Sequence, residues 1–224
     1  MSSQQVSSVN QAENKPKPKG RKLQARSIER RNKILDAAHE LLQTESIASL
    51  SLYDVAARAE IPPSSLYYFF PSVSALVEAL AEEIFVAFEE CVEAPIAADG
   101  IDTWEDLGEL LEKRMQDYYR GNIIARKMLL GQQIDNEVEL ADREHDEDLG
   151  KKVEAIYKRF FYLPKLPEEY NVFAIAMQIA DKVYAMSHQK EGNISDLYAR
   201  EGWRAAQGYL SFYLPKLMQK REQL

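Results

Sequence analysis

The stretch from Ser51 to Phe70, SLYDVAARAEIPPSSLYYFF, constrains the fold of this chain more than any other segment. Ser51, a favoured helix N-cap residue, precedes apolar residues that recur at helical spacing. The Pro62–Pro63 pair interrupts this pattern, because the residue before a proline is driven out of the helical region. A second helix can begin directly afterwards, since proline is tolerated in the first turn. Two short helices joined by a tight turn form a helix-turn-helix, which places its second helix in a DNA major groove.

Further short patterns surround this motif in a fixed order. They are RRNKILDAAHELL from Arg30 to Leu42, the Asp54-Val55-Ala56 triplet, Leu66-Tyr67, and Phe70 before Pro71-Ser72. Together these patterns resemble the N-terminal domain of TetR-type transcriptional repressors, in detail over about a fifth of the chain. The resemblance implies an all-α protein, with a three-helix DNA-binding domain followed by a larger helical domain for effector binding and dimerisation.

Three positions depart from the family pattern. The family usually has glycine in the turn where this chain has Glu60, so we expect the prolines to make the break. The family often has a lysine at the start of the fourth helix, where this chain has Val73. It also often has a histidine in the recognition helix, where this chain has Phe69. Neither replacement can donate a hydrogen bond to phosphate, so we expect weaker positioning on the DNA backbone.

The first 26 residues differ in composition from the rest. They are rich in Ser, Gln, Asn and Pro and contain almost no large apolar side chains, which predicts disorder in the free protein. Their second half is basic and precedes the helix-turn-helix, so it favours an arm reaching into the minor groove over a merely solvated tail. Residues 1–73 hold ten Lys/Arg and seven Asp/Glu, whereas residues 74–224 hold eighteen and twenty-nine. We therefore predict an arm (1–26), a DNA-binding domain (27–73) and an acidic helical body (74–224).

The resemblance assigns roles on the DNA-reading face. It implies that Tyr67 contacts phosphate, that Tyr68 faces base edges and that Ser65 does either. The full predicted DNA-binding set is Lys17, Lys19, Arg21, Lys22, Ser51, Tyr53, Ser64, Ser65, Tyr67, Tyr68 and Phe69.

The remainder of the chain reads as a series of helices. The pattern predicts helices at 72–93, 103–119, 122–133, 140–162, 167–189 and 194–220, with no alternating stretch that favours a sheet. In the last two, apolar residues step by three and four, which fits either the core of one protomer or a seam between two. The resemblance implies a four-helix dimer interface there. The predicted interface consists of Phe173, Ala176, Ala180, Val183, Trp203, Ala206, Leu210, Tyr213 and Leu217.

Aromatic and methionine residues are abundant in the middle of the body. Each alone is more typical of core packing, but collectively they predict a mainly apolar effector cavity. The predicted lining is Trp104, Leu111, Met115, Tyr118, Tyr119, Met128, Tyr157, Phe161, Met177 and Tyr184, with Arg114 or His188 as a polar anchor.

Other functions are not favoured by the sequence. The acidic run from Asp142 to Asp148, with His145 inside it, could suggest a metal site, but a solvated helix face is the more typical explanation. No nucleophile–base spacing or Gly-rich phosphate loop occurs, so we predict neither an enzyme nor a cofactor. The single cysteine, Cys91, and the lack of a secretory signal or membrane-length apolar run predict a cytoplasmic protein.

The sequence thus predicts a homodimeric repressor that binds a pseudo-palindromic operator in double-stranded DNA. A small hydrophobic or aromatic effector would release it by shifting the helix at 72–93. The alternative is a DNA-binding regulator without a small-molecule effector, either constitutive or controlled by a protein partner.

Overall fold

The computed structural model describes the backbone of residues 19–131 and 136–222 and the side chains of residues 25–131 and 144–222. Over these residues the predicted all-α class is confirmed: the elements are nine α-helices and one 3₁₀ turn at Ile47–Ser49. In chain order the α-helices are α1 Lys19–Thr44, α2 Leu52–Arg58, α3 Pro63–Phe69, α4 Val73–Glu93, α5 Trp104–Gly121, α6 Ile123–Leu129, α7 Asn136–Phe160, α8 Val172–Glu191 and α9 Asp196–Leu210.

Helices α1 to α3 form a small head whose buried apolar residues continue into the core of the body. Ile34 and Leu42 of α1, Val55 of α2 and Leu66 of α3 are fully buried, and Phe70 closes the core after α3. The head is joined to the body by α4, which is capped by the Ser72 side chain accepting from the Ala75 N–H at 3.1 Å. Continuous helix after the cap means that the head and the body share α4.

The body is built from α4 to α9, and charged side chains secure several helix ends. Arg114 of α5 donates to the carbonyls of Ala94 and Pro95 just after α4, at 2.8 and 2.9 Å. Lys127 of α6 donates to the carbonyls of Leu42 and Glu45 at the end of α1, at 2.7 and 2.8 Å. Cations at helix C-termini satisfy free carbonyls and the negative end of the macrodipole. Arg114 therefore has a structural role, and is not the polar anchor of the cavity that the sequence suggested.

The sequence-based boundaries and those of the structure differ most in two segments. Residues 19–26 belong to α1, although their composition predicted a disordered arm, because Lys, Arg, Leu, Gln and Ala are good helix formers that extend an already packed helix. Helix α9 ends at Leu210 and not at Lys220, since Pro215 disfavours helical geometry at Leu214. The chain after α9 runs instead beside the end of α7, with the Tyr162 N–H donating to the Gln219 carbonyl at 3.0 Å.

Helices α8 and α9 form an antiparallel pair with extensive mutual contact. Small residues allow this close approach: a methyl group at Gly202 of α9 would overlap the Tyr184 ring of α8. Likewise, a methyl group at Gly108 of α5 would overlap the ring of Trp203. Within the described residues, none of the helices combines the length and the apolar character needed to cross a membrane.

Candidate DNA-binding surface and ligand cavity

The turn between α2 and α3 is made by Glu60. Its backbone is left-handed, with φ of +52°, and it closes a Schellman motif. The Ile61 N–H donates to the Ala56 carbonyl at 3.0 Å, and the Glu60 N–H to the Ala57 carbonyl at 3.1 Å. The expectation that the prolines make the break in place of the family's glycine is therefore wrong. Pro62 and Pro63 begin α3 instead, as the N-cap and first residue of the helix.

Helix α3 turns an aromatic and hydroxyl face to solvent. Leu66 anchors the helix in the head core, whereas Tyr68 is 81% exposed and Tyr67 is also exposed. Tyr53 of α2 is 65% exposed and meets Tyr67 edge to face, with ring centroids 6.3 Å apart. The predicted cap of α2 is confirmed, since the Ser51 hydroxyl accepts from the Tyr53 N–H at 3.2 Å. The structure thus places these tyrosines on one outward surface.

A groove runs between the start of α1 and α3. Its lining consists of Arg26, Ser27, Arg30, Ser64, Ser65, Tyr68 and Phe69. Arg26 and Arg30 of α1 therefore lie beside the polar start of α3. Sequence analysis missed Arg30 because it lies about 35 residues from α3 along the chain and comes close only through packing. We name this groove, with its seven lining residues, the arginine groove.

The basic residues predicted for the arm fall partly outside the structure. Lys17 lies outside the described residues. Lys19, Arg21 and Lys22 are in the first turns of α1, and their side chains lie outside the described set.

The body contains a small space between α4, α5, α6, α7 and α8, which we call the inner cavity. Its volume, measured for the centre of a water molecule, is about 20 Å³, which is room for about one water. The lining consists of Phe88, Glu112, Met115, Tyr119, Leu129, His145, Asp146, Leu149, Met177 and Asp181. Of the predicted pocket residues, Met115, Tyr119 and Met177 are brought together here.

A second space, the apolar cavity, lies on the other side of Glu112 and has a volume of about 30 Å³ by the same measure. It takes in the predicted residues Leu111 and Tyr157, and it shares Met115 and Met177 with the inner cavity. The remaining predicted pocket residues line neither cavity. Trp104, Met128, Phe161 and Tyr184 are buried in the surrounding core, and Tyr118 is half-buried against Phe88.

Glu112 is the most unusual group of the body. Its side chain is only 5% exposed, and burial raises its pKa to about 7, although a hydrogen bond from Tyr184 opposes the rise. The Tyr184 hydroxyl donates to Glu112 Oε1 and accepts from Gln116 Nε2 at 2.8 Å. Gln116 also donates to the Ala199 carbonyl at 3.2 Å, which ties the network to α9.

The acidic run at the centre of α7 is only partly a solvated face. Asp148 is exposed beside Lys151, as expected for such a face. Asp146, however, is 7% exposed, and His145 stacks on Phe85 with ring centroids 4.3 Å apart; both line the inner cavity. Burial lowers the His145 pKa, so the neutral ring is favoured. Across the described side chains, no group of three or more His, Cys, Asp or Glu could hold a metal ion.

Most of the predicted dimer seam faces the interior of the protomer. Phe173, Ala176, Ala180, Ala206 and Leu210 are buried in the protomer's own core, so their side chains are not available to a second chain. The core explanation of this stripe therefore applies to five of the nine residues.

Of the other predicted seam residues, Val183 and Tyr213 are half-buried, Leu217 is exposed, and Trp203 packs against Gly108 of α5. The opposite faces of the same helices carry apolar residues that are half-buried or exposed. On α8 the outward stripe includes Ile175, Ile179 and Met186; on α9 it includes Leu197 and Gly208, and it continues to Phe212, which is 86% exposed. We name these six residues the outer α8–α9 face.

Comparison with known proteins agrees with this architecture. Residues 34–80 match the family model of bacterial regulatory proteins, tetR family. A TetR-family transcriptional regulator from Streptomyces coelicolor shares the fold with a TM-score of 0.61 and 22% identity, over 83% of this chain and 98% of that chain. None of the curated proteins matches the chain.

Two further solved structures carry descriptions of what they do. The multidrug binding protein EbrR, complexed with imidazole, matches with a TM-score of 0.59 and 22% identity, over 80% of this chain and 89% of that chain. SmeT, the repressor of the Stenotrophomonas maltophilia multidrug efflux pump SmeDEF, matches with a TM-score of 0.55 and 21% identity, over 82% of this chain and 90% of that chain.

The head has the helix-turn-helix architecture in an all-α chain, with α3 facing outward. More particularly, residues 34–80 match the tetR-family domain, and the chain as a whole shares the fold of solved TetR-family transcriptional regulators.

Proposed function

We propose that this protein is a dimeric transcriptional repressor that leaves its operator when a small molecule binds in the body. The observation that carries the proposal is the arginine groove beside the exposed tyrosines of α3, on a tetR-family head. EbrR is a multidrug binding protein and SmeT a repressor, which supports a ligand-responsive repressor at the level of the fold.

DNA binding would use two kinds of contact. Arg26 and Arg30 would neutralise phosphates next to the recognition helix, compensating for Phe69 and Val73. Tyr68 would face base edges, while Tyr53 and Tyr67 would bind the flanking backbone. The basic residues before Arg26 would add minor-groove contacts, as the composition of the arm suggests.

Effector binding would act on the head through the short helix α6. Leu129 at its end lines the inner cavity, and Lys127 on the same helix holds the C-terminus of α1. Expansion of the cavity would displace α6 and with it α1 and the shared helix α4. The two heads of a dimer would then change their separation and no longer match successive major-groove turns.

Dimerisation would use the outer α8–α9 face. Exposed large apolar residues that are grouped on one surface typically mark an interaction site. A twofold pair of such faces would form the four-helix interface that the resemblance implies, with the heads arranged for a pseudo-palindromic operator. A DNA-binding regulator of this kind would act in the cytoplasm.

The second candidate function is a DNA-binding regulator without a small-molecule effector. The specific observation in its favour is the small volume of the inner cavity, about 20 Å³, which admits no effector without rearrangement. A complex that retains its operator with every ligand tested, while a protein partner releases it, would favour this alternative.

The test of DNA binding is an affinity measurement on an operator selected from random duplexes with the purified full chain. Because each phosphate contact releases counterions, Arg30→Gln should weaken binding and lower the slope of log affinity against log salt by about 1. Lys165→Gln removes an exposed cation from the body and serves as the matched control. Equal affinity and slope for both variants would contradict a role of the arginine groove in binding DNA.

A further inference from the structure

The side chains of α3 lack the groups that proteins use most to read purines. Between Pro62 and Phe69 the sequence contains no charged residue, no asparagine and no glutamine. Arginine and lysine donate to guanine, asparagine and glutamine pair with adenine, and carboxylates accept from cytosine in the major groove. The helix therefore has to recognise bases by another kind of contact.

The start of α3 presents methylene rings and small hydroxyls to solvent. Pro62 and Pro63 are exposed as the N-cap and first residue of the helix, and their rings have no N–H to donate. Ser64 beside them is exposed, and Ser65 is half-buried. The first residues of a recognition helix are the ones that meet base edges. A serine hydroxyl can pair with different bases, so it discriminates only weakly between them.

Tyr68 adds a large aromatic surface to this side of the helix. It follows Ser64 by four positions and Ser65 by three, which places the three side chains on one helix face. The Tyr68 ring is highly exposed and stands edge to face on Phe69, with ring centroids 5.2 Å apart and planes at 87°. Phe69 is half-buried and packs against the apolar core. Phe69 thus supports the Tyr68 ring, although it cannot donate a hydrogen bond to phosphate.

Tyr67 has different surroundings from its neighbour in the sequence. Its ring meets the ring of Tyr53 in α2, with centroids 6.3 Å apart, so it lies on the side of α3 that faces α2. Tyr68 instead lines the arginine groove together with Arg26 and Arg30. The two adjacent tyrosines therefore allow the contribution of the Tyr68 ring to be separated from that of a tyrosine on the flank.

We propose that α3 recognises its operator mainly through the C5-methyl groups of thymine. Among the base edges of the major groove, the thymine methyl is the apolar group that an aromatic or aliphatic side chain can cover. The rings of Tyr68 and Pro63 pack on these methyl groups, while Arg26 and Arg30 bind nearby phosphates. This inference deepens, and rests on, the proposed binding of an operator.

The test replaces thymine by deoxyuridine in an operator that the full chain has selected from random duplexes. Deoxyuridine keeps the base pair and lacks only the methyl group. Replacing the thymines of both half-sites should weaken wild-type binding about tenfold or more, because covering one methyl group changes an affinity about fourfold. The same number of replacements in the flanking duplex should leave the affinity unchanged.

Variants of the two tyrosines assign this effect to one residue. Tyr68→Ser removes the exposed ring and should abolish most of the difference in affinity between the thymine and deoxyuridine duplexes. Tyr68→Phe keeps the ring and should keep the difference. Tyr67→Ser is the matched control, because it removes the neighbouring tyrosine and should weaken binding of both duplexes by the same factor.

Three outcomes would overturn the inference while the binding of an operator stands. They are a selected operator without thymine in its half-sites, equal wild-type affinity for the thymine and deoxyuridine duplexes, and a difference that persists in Tyr68→Ser. A chain that selects no operator from random duplexes would instead overturn the proposed DNA binding, and the recognition of thymine with it.

Discussion

Glu112 shows how a single residue acquires unusual chemistry from its surroundings. In the sequence it belongs to an acidic and apolar segment of α5, where other carboxylates such as Asp117 and Glu109 are exposed. Packing of α8 and α9 against α5 removes Glu112 from water, and this desolvation is the largest cause of its raised pKa. A neutral acid is therefore favoured in the folded protein at a pH where the unfolded chain is charged.

The raised pKa predicts a pH-dependent stability. Since the folded value of about 7 lies above the reference value of 4.5, the unfolded state loses its proton first as the pH rises. The stability that the neutral acid provides is present in full below pH 4.5 and is lost as the pH rises through 7. We expect the free energy of unfolding to fall by about 3 kcal/mol for this reason. Glu112→Gln has no titrating group at this position and should not show the fall.

Urea unfolding at fixed protein concentration, from pH 4.5 to pH 8, measures this effect. The free energy of unfolding of Glu112→Gln should rise relative to wild type across this window, whereas Asp117→Asn should follow the wild-type curve. A constant difference between Glu112→Gln and wild type would show that Glu112 does not lose its charge on folding.

At the scale of elements, the α2–α3 turn combines a left-handed backbone conformation with a residue that disfavours it. The left-handed conformation of Glu60 costs a residue with a Cβ about 1 kcal/mol or more, and glycine almost nothing. An exposed ion pair to Lys33 at 3.7 Å offsets little of this cost. The turn is therefore held by its Schellman hydrogen bonds and the buried residues on either side of it.

Glu60→Gly should consequently stabilise the head. We expect a gain of about 0.5–1 kcal/mol in the free energy of unfolding, because relief of backbone strain exceeds the extra entropy of glycine in the unfolded chain. Glu60→Ala keeps the strain and removes only the ion pair, so its stability should equal or fall slightly below that of wild type. Denaturant titration of the three proteins checks the order, and a glycine variant less stable than wild type would contradict it.

At the scale of the whole molecule, the outer α8–α9 face allows the proposed dimer interface to be tested. Gly208 lies in the outer α8–α9 face, and a side chain added there would contact nothing within 4 Å in the protomer. In the proposed dimer the same position would be covered by the partner. Glutamine at this position should therefore be tolerated by the protomer, and even favour its helix, while keeping two protomers apart.

Analytical ultracentrifugation of Gly208→Gln tests this arrangement. We expect the variant to sediment as a monomer at concentrations where wild type is a dimer, with unchanged helical content by circular dichroism. Gly121→Gln is the matched control, because Gly121 at the end of α5 also has open space around its Cβ position but lies outside the proposed interface. Equal dimerisation of both variants would place the interface elsewhere.

Local signals in the sequence determined much of the fold. Ser51 predicted the cap of α2, and the apolar pattern predicted helices from 72 and 103, where Ser72 and Thr103 cap α4 and α5 in the structure. These predictions succeed because a cap and an apolar period act between residues a few positions apart. The order of short patterns around the helix-turn-helix predicted the family in the same way, and the match over residues 34–80 agrees.

Only the tertiary structure decided which side of a helix is buried and which distant residues meet. The apolar stripe of α8 that includes Phe173 and Ala176 has a spacing that fits both a protomer core and a dimer interface. Packing of α8 on α7 buries this stripe in the core. Arg30 reaches the recognition helix, and Glu112 becomes a buried acid, through contacts between segments far apart in the chain. Burial and charge compensation are sums over such distant neighbours, so the sequence determined the helices and the class of protein, and tertiary packing determined the chemistry of its sites.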